Sequence, residues 1–108
     1  MSFKLVVTPA FEKEAKSLLK KHKSLKQDLQ NLFYSLEENP FQGVALGNDC
    51  FKIRMAITSK GKGKSAGAHV ITCIKITKET IYLLSVYDES EKQDISDKQL
   101  SLLIRYTL

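Results

Sequence analysis

The feature that most constrains this chain is a change of hydrophobic period partway along it. From Phe11 to Leu36 apolar residues recur at helical spacing, and from Phe51 to Ile57 they alternate. Neither pattern can be buried on one face of the other's element, so the chain must build helices and a sheet and pack one on the other. Thr8 and Pro9 supply an N-cap and a proline at the first helical position, and Phe11, Ala15, Leu18 and Leu19 make a stripe that ends near His22. Ser24 with Gln27 predicts a capping box for a second helix, whose stripe of Leu25, Leu29, Leu32, Phe33 and Leu36 stops at Asn39-Pro40. Two short amphipathic helices joined by a tight turn form an α-hairpin.

The remaining segments read as strands and one last helix. Alternation of Phe3, Leu5 and Val7 predicts a short first strand that ends at Thr8. Phe51, Ile53, Met55 and Ile57 fall on one face of a second strand, with Lys52, Arg54 and Thr58 on the other, and the hairpin is expected to cover the apolar face. Gly61, Gly63 and Gly67 interrupt the pattern before a third strand, where Val70, Ile74 and Ile76 alternate with His69, Ile71, Cys73 and Lys75. Beyond a polar turn, Ile81 to Tyr87 is apolar on both faces, as a strand inside a sheet requires. Asp88 to Asp94 is an acidic loop, and Ser96 with Gln99 forms a capping box for a helix carrying Leu100, Leu103 and Ile104. The predicted fold class is α+β in the order βααβββα: a small, mostly antiparallel sheet, the N-terminal α-hairpin on one face, and a C-terminal helix.

A chain of 108 residues fits one domain, 1–108, and 43% hydrophobic with 27% charged residues is the composition of a folded protein. Its 17 Lys and Arg exceed its 12 Asp and Glu. Much of the surplus is local: Lys52, Arg54, Lys60, Lys62 and Lys64 have no acidic partner nearby in sequence, so their complement is a polyanion, of which a nucleic-acid backbone is the commonest. Cys50 and Cys73 have neither metal-ligand spacing nor the density of a disulfide framework, which predicts reduced, buried thiols in a cytoplasmic protein. The few apolar residues before Thr8-Pro9 fall short of a signal sequence or a span, so neither export nor a membrane partner is expected.

Gly63-Lys64-Ser65 resembles the end of a nucleotide-binding phosphate loop, but Thr58 stands where its first glycine belongs, and a strand follows instead of a helix. ATPase and GTPase readings are thereby excluded. His22, His69, Cys50 and Cys73 are too dispersed for a zinc motif, so no metal and no cofactor are expected. What remains is a sheet face with Lys52, Arg54, His69 and Tyr87. Such a set suits RNA cleavage by the substrate's own 2′-hydroxyl, which needs a proton acceptor, cations to offset charge on the phosphorane oxygens, and a proton donor for the leaving 5′-oxygen. Tyr87 fits stacking on an unpaired base or a hydrogen bond near the phosphate, but the residue pattern by itself favours a core aromatic at a strand end.

The element order, with Phe11-Glu-Lys, Asn39-Pro40, Lys52-Ile-Arg54, Ser59-Lys-Gly-Lys-Gly-Lys-Ser-Ala-Gly67, Val70-Ile71 and Leu83-Leu-Ser-Val-Tyr87-Asp-Glu-Ser-Glu91, resembles the RelE/ParE superfamily of bacterial toxins, nearest its RelE and HigB-like members. The resemblance implies the toxin of a type II toxin–antitoxin system: a metal-independent endoribonuclease that cuts mRNA on the ribosome, inhibits translation, and is silenced by a cognate antitoxin. It implies catalytic roles for Lys52, Arg54, His69 and Tyr87 and RNA or phosphate contacts for Lys60, Lys62 and Lys64. Phe3, Leu5 and the last helix are expected to offer the antitoxin an apolar groove. ParE-like members that inhibit DNA gyrase share the fold, and the basic cluster favours RNA. One position departs from the family pattern. His69 stands where an arginine is usual, and an unperturbed histidine, with a pKa of about 6.5, is mostly neutral at pH 7. Two readings stay open: His69 is a general acid or base, or it marks a catalytically weakened, antitoxin-binding module.

Overall fold

The computed structural model describes residues 3–63 and 66–107. Strand β1 (Lys4–Val7) runs into helix α1 (Pro9–Lys21), and α2 (Leu25–Glu38) completes the hairpin. Thr8 Oγ1 accepts from the Phe11 amide at 3.3 Å and donates to the Leu83 carbonyl at 2.7 Å, so one hydroxyl caps α1 and ties it to the sheet. Strands β2 (Val44–Gly47), β3 (Cys50–Ala56), β4 (Gly67–Lys75) and β5 (Thr80–Asp88) follow, then α3 (Asp97–Thr107). The sheet order is β1-β5-β4-β3-β2, with β1 parallel to β5 and every other pair antiparallel. The α+β class and the order of the predicted elements are thus observed.

The sheet is covered on both sides. Phe11, Ala15 and Leu18 of α1 and Leu25, Leu29, Leu32 and Leu36 of α2 close over Ile53, Met55, Ile57, Val70, Ile81 and Leu83. On the opposite face Leu100 of α3 seals a second cluster of Cys50, Ile71, Cys73, Leu84 and Tyr87. This explains why β4 and β5 are apolar on both faces. Fully buried aliphatic side chains such as Leu25 and Leu36 each contribute about 1.5–3 kcal/mol.

Four local expectations are corrected. β2 is an additional strand, built around the Asn48-Asp49 turn, whose φ values of 55° and 60° are those of a tight hairpin. The capping box at Ser24 does not form: Ser24 is helical, its Oγ donates to Asp28 Oδ2 at 2.7 Å, and Gln27 bonds Asn31. Asp28 also accepts from the Thr58 amide and hydroxyl at 3.0 and 2.6 Å, so these residues join α2 to the segment after β3 instead of capping the helix. Ile76 lies outside β4, exposed in the 3₁₀ turn Ile76–Lys78 that Glu79 closes in the left-handed conformation. Phe3 and Leu5 do not share a groove with the last helix, because they pack on the hairpin side and α3 covers the other face.

Candidate functional site

Arg54, His69 and Tyr87 stand directly opposite one another across three adjacent strands: Arg54 on β3 pairs His69 on β4, which pairs Tyr87 on β5. Lys52 is two residues before Arg54 and so shares its face. Tyr87 reaches that face because of a bulge. The register passes from Thr72–Leu83 to Ile71–Ser85, leaving Leu84 as an extra residue in β5. Strict alternation would put Tyr87 with Ile81 and Leu83 under the α-hairpin; the added residue turns it to the α3 side, beside His69.

The cations of this face are paired with carboxylates from the segment after β5. Arg54 grips Glu89 with two nitrogens, Nη2 at 2.8 Å and Nε at 3.2 Å from Oε1. Glu89 Oε1 also accepts from the Gly67 amide at 2.9 Å, and its Oε2 lies 3.3 Å from His69 Nε2. The hydrogen bonds from Arg54 hold the Glu89 carboxyl below its ordinary range despite partial burial. Lys52 Nζ is 3.5 Å from Asp94, a looser pair at an exposed carboxylate. Lys60 Nζ is 3.0 Å from Asp88, which also receives the Ser90 amide and hydroxyl and lies 3.1 Å from His22 Nε2. Burial alone would raise the Asp88 pKa; the bonds from Ser90 and Lys60 outweigh it and bring the carboxyl down to about 2.

Tyr87 is buried and His69 half-buried. Tyr87 is 6% exposed, its hydroxyl has no hydrogen-bond partner among the described residues, and burial, followed by Asp94 and Glu14, pushes its pKa up to about 12. The His69 ring meets the Tyr87 ring edge-on at 5.4 Å, and Lys92 Nζ sits 4.8 Å above that ring. His69 Nδ1 is buried without a partner among the described residues, and its Nε2 faces Glu89. Lys62 is exposed between Gly61 and Gly63, both at positive φ; Lys64 lies outside the described residues. Beside Arg54, α2 and β3 border an open groove of about 330 Å³ lined by Asn31, Ser35, Gln42 and Thr58.

No protein-family model matches the sequence. Among solved structures, the E. coli toxin RelE in the free state, in a form with two arginines changed to alanine, matches with a TM-score of 0.67 over 100% of both chains at 17% identity. The chain has the RelE fold. The isolated E. coli RelE toxin in another crystal form gives a TM-score of 0.61 over 97% of this chain and 99% of that one, at 17% identity. A chain of the intact E. coli RelBE toxin–antitoxin complex gives 0.60 over 79% and 94%, at 20% identity.

Within this RelE fold, two residues beyond the sequence-based set shape the site. Glu89 is the common partner of Arg54, His69 and the Gly67 amide; in the sequence it showed only as part of an acidic run and of the Leu83–Glu91 motif, with no role assigned. Gly67 is the other. A Cβ there would stand 3.0 Å from Arg54 Cζ and 3.0 Å from the Met55 carbonyl, so the guanidinium lies against the glycine backbone. Among the described residues no His, Cys, Asp and Glu group could hold a metal ion, and no helix is long and apolar enough to cross a membrane.

Proposed function

We propose that this chain is a single-domain toxin of a type II toxin–antitoxin pair, a cytoplasmic endoribonuclease that cuts mRNA on the ribosome and is silenced by a cognate antitoxin. The observation that carries the reading is the in-register line of Arg54, His69 and Tyr87, with Lys52 beside it, on one face of a fold shared with E. coli toxin RelE.

In this reading the 2′-hydroxyl of the substrate attacks the adjacent phosphorus. A 2′-O–P bond forms, the P–O5′ bond breaks, the 2′-proton passes to a base, and a proton is delivered to the departing 5′-oxygen, leaving a 2′,3′-cyclic phosphate. Arg54 and Lys52 offset the charge that grows on the non-bridging oxygens. Arg54 suits this role because its side chain is half exposed and Glu89 holds the guanidinium at this face before substrate arrives. Lys52 suits it because its pair with Asp94 is long and exposed on the acidic side. His69 exchanges protons through Nε2, and Tyr87 acts as a backing for the His69 ring. Lys62 and Lys64 touch the RNA backbone; Lys60, drawn toward Asp88, fixes the base of their loop and adds positive charge there. With histidine where the family has arginine, one forked phosphate contact is missing, which lowers the rate by about 10²–10³ relative to an arginine-bearing relative.

A reporter mRNA incubated with the protein in a translating extract tests this. We expect cleavage when ribosomes translate the message and none when initiation is blocked, with gyrase supercoiling unaffected. Intact mRNA together with blocked supercoiling would establish the gyrase-directed activity of ParE-like proteins instead.

A further inference from the structure

We propose that the acidic segment from Asp88 to Asp94 is a built-in competitor of the RNA backbone: Glu89 and Asp94 occupy the cations that a phosphate must reach, and substrate binds by displacing them. The proposal rests on the RNA-cleaving reading and adds its regulation. Four of the chain's 12 acidic residues, Asp88, Glu89, Glu91 and Asp94, fall in this segment, and three of them meet Lys60, Arg54 and Lys52. They do so in different ways. The Asp88 side chain is 4% exposed and held by Ser90, Lys60 and His22, so it anchors the root of the segment. Asp94 is 68% exposed and holds Lys52 at 3.5 Å. Glu89 takes Arg54 in the two-pronged geometry that a phosphate also uses.

These pairs are suited to exchange. The Arg54 side chain is 52% exposed, so its outer edge is open to a phosphate although Glu89, at 12%, is largely enclosed; Lys52–Asp94, long and with Asp94 68% exposed, is the weaker pair and the first to yield. A phosphodiester chain reaches several cations together and releases bound counterions, so it gains more than either carboxylate. The cost of displacement falls hardest on RNA met by diffusion. A message already held on the ribosome presents its phosphates at high effective concentration and overcomes it. The segment thus confines a basic site to RNA that is presented to it.

The test is binding of a short single-stranded RNA bearing 2′-O-methyl groups, which lacks the attacking hydroxyl, followed by fluorescence anisotropy at several salt concentrations. The variants are E89Q, D94N and their combination; glutamine keeps an acceptor for the Gly67 amide. As a charge control, E37Q/E38Q removes two exposed carboxylates at the end of α2. We expect the combined variant to bind about 10-fold tighter than wild type with a steeper salt dependence, the control to change binding less than about 1.5-fold, and R54A to bind more weakly. Should the combined variant fail to fold by thermal melting, D94N alone, at an exposed site, is expected to tighten binding about 2–3-fold. Unchanged or weaker binding by the carboxamide variants, or equal tightening by the control, overturns the competitor while leaving the RNA reading intact. Absence of RNA binding in wild type and in every variant also overturns the competitor, and the RNA-cleaving reading is then decided by the translating extract.

Discussion

Arg54 Nη2 donates to Glu89 Oε1 at 2.8 Å, joining the middle of β3 to the first residue after β5. The contact fixes one edge of the guanidinium and keeps Glu89 ionised below the ordinary range of a glutamate. Because that pKa is lowered by folding, the pair's contribution is present above the unfolded value and is lost as pH falls through the folded one. Arg54→Ala should therefore move the Glu89 titration upward, read by NMR of its side-chain carboxyl. The stability difference between Arg54→Ala and wild type should shrink as the solution is acidified.

Asp88 predicts the acid limit of the fold. Its carboxyl falls from 3.8 to about 2, and the sign is again that of a depressed acid: stability is retained above about pH 4 and lost toward pH 2. For a side chain this buried the contribution is about 2 kcal/mol. Urea unfolding of wild type between pH 6 and pH 2 should show this decline, and Asp88→Asn should be less stable at neutral pH with a flatter acid limb.

Much of this architecture could be read from hydrophobic period alone. The α-hairpin and the strand carrying Arg54 have clear spacing, because each buries one face, and the strand carrying Tyr87 shows as an unbroken apolar run, because both its faces are covered. β2 did not show, since Val44 to Gly47 is a short edge strand with its first two side chains exposed. The orientation of Tyr87 was also hidden: a bulge at Leu84 reverses the alternation, and only pairing with β4 reveals it. The acidic partners were invisible for another reason. Glu89 and Asp94 are remote in sequence from Arg54 and Lys52, and the antiparallel return of β5 brings them together.

Gly67 should be intolerant of even one methyl group. Gly67→Ala sets a Cβ 3.0 Å from Arg54 Cζ and from the rigid Met55 carbonyl, so the guanidinium must shift and the strand pair is strained. A destabilisation of about 1–3 kcal/mol is expected by urea unfolding, with an upward move of the Glu89 titration that a purely remote defect would not cause.

Tyr87 separates packing from chemistry. Its hydroxyl is buried and has no partner among the described residues, so Tyr87→Phe should change stability by less than about 1 kcal/mol, while Tyr87→Ala should cost about 3–5 kcal/mol by opening the cluster beneath α3. If the ring serves as a backing for His69, Tyr87→Phe retains RNA cleavage within about 3-fold. A loss of about 10²-fold in a fully folded Tyr87→Phe protein would instead assign the hydroxyl a direct part in the reaction.

The central claim is that positioned cations on this sheet face cut RNA. Its most direct test is to map mRNA 5′ ends at nucleotide resolution after adding wild type, Lys52→Ala or Arg54→Ala to a translating extract. The account predicts new ends within codons for wild type, reduced about 10²–10³-fold in rate in either folded variant. New ends of undiminished frequency in both variants, or none with a folded wild-type protein, would contradict it.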